Sequence, residues 1–154
     1  MNEPHNPLGA RRDRRCHHAW GWIGLVDHGR GEPAKPDSTS GTLVARGKAV
    51  YAQQCASCHG ANLEGQPNWR ERLPSGRLPA PPHDASGHTW HHPDRELFAM
   101  VKNGIPEIVP GYETDMPKYG GVLSDSDIWA VLSFIESTWP SDIRARRQRM
   151  NQRQ

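Results

Sequence analysis

The chain is short of nearly everything a self-sufficient core requires. Of its 154 residues only 34% are apolar and two are phenylalanine, against 15 glycines and 14 prolines. Such a chain builds only a thin core from its own side chains. Its length suits one domain plus tails, not two ordinary domains. No run approaches the roughly 20 apolar residues of a bilayer-spanning helix. The longest candidate, residues 19–26, is broken by Gly21 and Gly24, so a spanning helix is excluded. Glycine and proline recur too often for a bundle of long helices. Three cysteines exclude a fully paired intramolecular disulfide set.

An excess of positive charge is also missing where it would matter. The net charge is +2, but residues 42–140 hold eight basic and eleven acidic residues, while residues 141–154 hold five arginines and one aspartate. A nucleic-acid binder carries its Lys and Arg excess on the folded part, so no nucleic-acid partner is expected. The run Arg144, Arg146, Arg147, Arg149 and Arg153 reads as a solvated basic tail that can be helical.

The chain divides into three segments. Residues 1–41 read as a disordered leader or linker, punctuated by Gly29, Gly31, Pro33 and Pro36. Arg11, Arg12, Arg14 and Arg15 precede an apolar patch, which is the order of an export signal. Trp20, Trp22 and two glycines make that patch a poor one. Two explanations fit: a misassigned start replacing a real signal or anchor, or a chain without export. Residues 42–140 form the domain, and residues 141–154 the tail.

Within the domain three helices are signalled. Leu43, Val44, Gly47, Val50 and Tyr51 recur at three- and four-residue spacing, giving a helix capped by Ser40 or Thr42 and running to about Gln54. A second spans Pro93 to Lys102, with Asp94 and Glu96 at its positive end and Asn103-Gly104 as its stop. A third starts from the cap Ser124, buries Ile128, Trp129, Val131, Leu132 and Ile135, and is closed by Pro140. Residues 61–92 and 105–121 read as loop. A loop as long as the first is unusual in a compact domain unless it wraps something. With no strand pairs and no repeats, the expected class is all-α.

What the loops wrap is suggested by Cys55-Ala56-Ser57-Cys58-His59. A zinc site would need further ligands, which His83, His88, His91 or His92 could supply. A thioredoxin-like redox pair would follow a strand in an alternating fold, and no alternation is visible. Purely structural cysteines are a third reading. The spacing suits covalent haem attachment best. Two thiols add to the two haem vinyl groups as thioethers, the two intervening residues let a short turn reach both, and the next histidine faces the iron. A soft thioether as sixth ligand suits a carrier that must not bind oxygen. Met1 and Met150 lie in tails, and Met100 falls inside the second helix as a core residue. Met116, in a loop before Pro117, is the candidate, so the expected metal ligands are His59 and Met116. His88, His91 and His92 read as helix-capping, propionate-bonding or solvent-facing groups, and Cys16-His17-His18 as no metal site.

Residues 42–140 resemble the class I c-type cytochromes, mono-haem electron carriers of bacteria that are periplasmic or membrane-tethered. Cys55 to His59 is similar to that family's haem-binding motif, Met116-Pro117 to its distal loop, and Leu123 to Ile135 to its C-terminal helix. The resemblance implies the small cytochrome c fold around one covalent haem c. It implies that Gly47 and Tyr51 cross against Trp129. It also implies a Pro-x-Leu element whose Pro carbonyl accepts the Nδ1 hydrogen of the proximal histidine. Pro81-Pro82-His83 is the nearest match, with His83 in the place of Leu, which makes Pro81 the candidate acceptor. Trp69, Arg70, Arg72 and Trp90 are candidate donors to the haem propionates.

The resemblance also implies function: a one-electron carrier with His/Met ligation and no catalytic residues, not an enzyme. Its partners would be a membrane oxidase, a cytochrome complex or a dehydrogenase, docking at the haem edge. Haem c is attached outside the cytoplasm, so a periplasmic location is expected. Membrane association is expected only through an N-terminal anchor absent from this sequence. The alternative is a haem-based ligand sensor, or a haem subunit of an oxidoreductase, with Met116 unbound and an open distal site. A zinc-bound interaction module is a third reading.

Overall fold

The computed structural model describes residues 35–153. The leader signals at Arg11 to Trp22, and Cys16-His17-His18, lie outside the described residues. Those described form six α-helices and one 3-10 turn: α1 (Gly41–Gln54), α2 (Ala56–His59), the turn Thr89–His91, α3 (Asp94–Asn103), α4 (Ile105–Ile108), α5 (Asp125–Ser137) and α6 (Ser141–Asn151). Among them is no strand beyond an isolated bridge between Gly120 and Leu123. None of these helices is long and apolar enough to cross a membrane. The fold is the all-α one expected, with α1, α3 and α5 as its frame.

Local chemistry sets the ends of that frame. The Ser40 hydroxyl accepts from the Leu43 N–H, and the Ser124 hydroxyl accepts from the Asp127 N–H at 3.1 Å. Each satisfies one of the orphan donors of a first turn. α3 starts after Pro93, carries Asp94 and Glu96 at its positive end and Lys102 in its last turn, and stops at Gly104 with φ 95°. Where residues 105–121 read as loop, α4 supplies one helical turn. Pro106 near its start fits there because the first-turn N–H groups have no helical partner.

α1 crosses α5, and the crossing sits one residue further along than expected. A Cβ on Gly47 would lie 1.9 Å from the Ala130 carbonyl oxygen and 2.9 Å from Phe134 Cβ. Only glycine permits that approach. Tyr51 packs against Phe134, with ring centroids 5.4 Å apart. Ala130, not Trp129, is the residue at this closest approach. One residue is about 100° of helix, which turns Trp129 toward α3, where it stacks on Phe98 at 4.3 Å. Two small clusters result. Tyr51, Leu63, Val131, Ile135 and Trp139 form one. Leu97, Ile128 and Leu132, with Met100 and Phe98 against them, form the other.

α6 is not a solvated tail: Ile143 packs against the first core cluster, Arg144 donates to the Trp139 carbonyl at 2.8 Å, and Arg147 is buried. Arg149 and Arg153 are exposed, but Arg147 is only 1% exposed. Its guanidinium pairs with Asp94 and donates to the His92 carbonyl, and the Asp94 N–H donates to Asn151 Oδ1 at 3.0 Å. α6 is thereby pinned to the start of α3. Charge runs are ordinarily solvated, and nothing in the run itself distinguishes the inward residue. The Arg147 Nε has no acceptor, so the site depends heavily on Asp94. Breaking a buried pair from the acid side costs about 3 to 5 kcal/mol. Asp94 keeps 20% of its side chain in solvent, which places Asp94→Ala near the lower end, a loss of about 3 kcal/mol read as a fall in urea midpoint. Arg147→Met, which removes the charge and keeps the volume, should lose less. Equal losses would assign the effect to packing.

Candidate functional site

α1 ends directly on the motif. Cys55 caps it, its N–H bonded to the Tyr51 carbonyl at 2.9 Å, and the His59 N–H returns to the Cys55 carbonyl at 2.9 Å. The tight turn α2 places Cys55 and Cys58 three residues apart, on one side of the helix, with His59 next. Both thiols are free; Cys55 is half-buried and Cys58 exposed. Burial, and then the neighbouring Cys58, push the Cys55 thiol up to about 11, so it is protonated at neutral pH. The turn is tied down from below. The buried Tyr51 hydroxyl reaches the carbonyls of His59 (3.2 Å) and Gly60 (2.9 Å).

His59 is buried, and its Nδ1 lies 2.8 Å from the Pro81 carbonyl. A carbonyl only accepts, so Nδ1 carries the hydrogen and Nε2 keeps a free lone pair. Burial lowers the imidazole pKa, with the Pro81 hydrogen bond acting in the opposite sense. A buried, neutral imidazole with Nε2 open and Nδ1 held by a carbonyl is the arrangement of a metal-binding histidine. Pro81 owes its place to Gly65. A Cβ there would lie 2.7 Å from the Pro81 carbonyl carbon and 2.5 Å from Pro82 N, at a φ of +70°. The Gln66 N–H donates to the Ala80 carbonyl at 2.8 Å, fixing the same two strands of loop together.

His83, in the position where the resemblance implies leucine, stacks on His59. Their ring centroids are 4.0 Å apart and their planes 23° from parallel. His83 Nδ1 is 2.8 Å from the Thr89 hydroxyl. Burial above all, then the nearby His59 and His88, keep its pKa well below the ordinary histidine value.

The other candidates fall into separate groups. Trp69 stacks on His88 at 5.6 Å, with the Arg70 guanidinium 4.0 Å above the Trp69 ring. Trp90 packs against the first core cluster and stacks on His91 at 3.8 Å. Its indole N–H is directed at the Ala85 carbonyl at 3.4 Å, and Arg146 lies 5.0 Å over its ring. Arg72 is occupied within its own loop, donating to the Gly76 carbonyl at 2.6 Å. Met116 is half-buried in the loop between α4 and α5, its N–H donating to Thr114 Oγ1 at 3.0 Å. It lines a cleft of about 390 Å³ together with Asn103, Gly104, Pro106 and Lys118; Cys55, Cys58 and His59 do not line that cleft.

Sequence reasoning missed the residue that ties this loop to the motif. The Tyr119 hydroxyl donates to the Gln54 carbonyl at 2.7 Å, one residue before Cys55, and its N–H donates to the Val101 carbonyl at 2.9 Å. Burial raises its pKa, with Cys55 and Cys58 near enough to add to the shift. No local pattern marks a loop tyrosine for such a role. A zinc centre would need partners for the two thiols, and among the described residues no three or more His, Cys, Asp or Glu side chains are grouped to share an ion.

Residues 42–135 match the protein family described as Cytochrome C oxidase, cbb3-type, subunit III. The chain is 31% identical over 112 residues to the thiosulfate dehydrogenase of Stutzerimonas stutzeri, a stretch covering 71% of this chain and 32% of that protein. It is 30% identical over 82 residues to cytochrome c-555 of Prosthecochloris aestuarii, covering 49% of this chain and 83% of that protein. The chain therefore spans about a third of the dehydrogenase it matches. No solved structure matches it significantly. The family match takes in more than half of the chain, which belongs to the c-type cytochromes: its cofactor is covalently bound haem c with iron, and its role that of a haem-based electron carrier or a haem subunit of an oxidoreductase.

Proposed function

We propose that the chain is a one-electron carrier whose haem is held by thioethers from Cys55 and Cys58 and ligated by His59 and Met116. The observation that carries this reading is the His59 geometry: Nδ1 bonded to Pro81 and Nε2 free, directly after the paired thiols. When bound, the haem iron supplies one-electron exchange between Fe(III) and Fe(II). The protein's part is to present and hold. Pro81 fixes the imidazole proton on the side away from the metal. Tyr51 locks the carbonyl end of the motif turn. Tyr119 anchors the Met116 loop beside Cys55, which supports Met116 as the distal ligand. Arg70 and Trp69 lie together and suit a propionate. Trp90, whose N–H already has an acceptor, suits the wall of the site rather than a donor.

Proteins of this kind exchange electrons with redox partner proteins. We infer a membrane oxidase, a cytochrome complex or a dehydrogenase as partner, and the periplasm as location, since c-type cytochromes of this kind are typically extracytoplasmic. A second reading, a haem subunit of an oxidoreductase, is favoured by the likeness to part of a thiosulfate dehydrogenase. The two divide on turnover. Exported with a c-type maturation system, the protein should keep its colour through acid–acetone extraction. It should cycle between the two iron states without oxidising thiosulfate on its own. Extractable colour would sink thioether attachment, and sustained thiosulfate oxidation by the isolated chain would sink the carrier reading.

A further inference from the structure

We propose that His83 is a positioning residue for His59, fixing the plane of that imidazole by stacking flat against it. This rests on the reading of His59 as an iron ligand. The rotation of a histidine ring about χ2 is broad, so the rotamer of His59 does not set its plane. The Pro81 hydrogen bond limits χ2, because Nδ1 lies off the Cβ–Cγ axis, but a hydrogen bond tolerates a range of angles and leaves the plane a residual swing. A second constraint is needed, and the parallel face of His83 at 4.0 Å provides it.

His83 can act as such a constraint because it is itself held from several sides. Its N–H donates to the Leu63 carbonyl at 2.8 Å, and the Trp139 indole N–H donates to its carbonyl at 2.7 Å. Its Nδ1 bonds the hydroxyl of buried Thr89 at 2.8 Å. The Tyr51 ring meets its edge at 6.2 Å and 73°. Leucine at this position fills volume, but it offers neither a flat face nor a group for Thr89 to hold. A phenylalanine keeps the face and loses the Thr89 bond. A threonine-to-valine change keeps the histidine and frees its ring.

The plane of an axial imidazole is read in the ferric protein by the g anisotropy in electron paramagnetic resonance and by the order of the haem methyl proton shifts. These respond to ring orientation and not to fold stability as such. In the holo-protein, His83→Leu should shift the g values and reorder the methyl resonances. His83→Phe, which keeps the flat face without the Thr89 bond, should return the wild-type order of the methyl resonances with the same broadening as Thr89→Val. Thr89→Val should broaden the signals into more than one orientation. Unchanged g values in His83→Leu, or a His83→Phe spectrum displaced as far as the leucine variant, would overturn the proposal. His59→Ala is the control that separates the two levels. If it leaves the wild-type low-spin signal intact, His59 is not the ligand and both readings fall. If the signal is lost while His83→Leu changes nothing, only the role of His83 falls.

Discussion

Replacing both Cys55 and Cys58 by alanine should abolish the cooperative melt of the protein and leave weak helical circular dichroism. The described fold has too little of its own to bury. One cluster has five buried residues and the other three. Between α2 and α3, the 34 residues 60–93 contain one 3-10 turn and no α-helix. Those loop residues reach His59 from several directions, through the Gly65 N–H, the Pro81 carbonyl and the His83 ring. A bound group that favours only the folded state adds its binding free energy directly to stability, and covalent attachment keeps that group from leaving. Domain stabilities lie at about 5 to 15 kcal/mol; here the expected loss is the whole of it. Cys58 is exposed and Cys55 only half-buried, so alanine at either position opens little cavity, and the effect reports attachment rather than packing. A variant that still melts cooperatively near the holo temperature would show that the protein side chains suffice as a core.

The sequence made legible what is written locally. α1, α3 and α5 were expected within a residue or two because each has its own cap, its own charged first turn or its own stop, as at Ser124 and Gly104. The motif turn was legible because its chemistry needs fixed spacing. Pro81 was singled out by resemblance, and Pro81 is the residue whose carbonyl meets His59 Nδ1. What escaped was non-local. The register of α1 on α5 turns on whether Ala130 or Trp129 faces Gly47, a difference of about 100° that helical periodicity alone does not resolve over one stripe. Tyr119 bonding Gln54 links residues 65 apart. Arg147 turns inward because Asp94, 53 residues earlier, is there to meet it. In each case the deciding partner lies on another element, and no window of neighbouring residues contains it.

The largest effect on the chemistry is expected at Met116. Its backbone sits between α4 and α5 with no helical obligation, and Pro117 stiffens the approach and removes a donor that would need a partner. The loop is not free to drift. Tyr119, three residues on, is tied to Gln54 at the entry to the motif and to Val101 in α3. Thioether sulfur is a weak ligand to Fe(III) and a better one to Fe(II), so its loss favours the oxidised form. Met116→Ala should abolish the weak far-red absorption of sulfur-bound ferric haem, lower the midpoint potential, and open the iron to carbon monoxide and azide. Met100→Ala is the contrast. Met100 packs beside Leu97, Ile128 and Leu132, and its truncation should cost about 2 kcal/mol of stability and leave the spectrum alone. His83 is a poor substitute as sixth ligand, because a ring stacked face to face on His59 cannot also sit across the iron from it. If the two methionine variants exchange behaviours, the distal loop is assigned wrongly. If neither alters the spectrum, His88, His91 or His92 takes the sixth position, and a histidine-ligated iron of lower potential replaces the His/Met carrier.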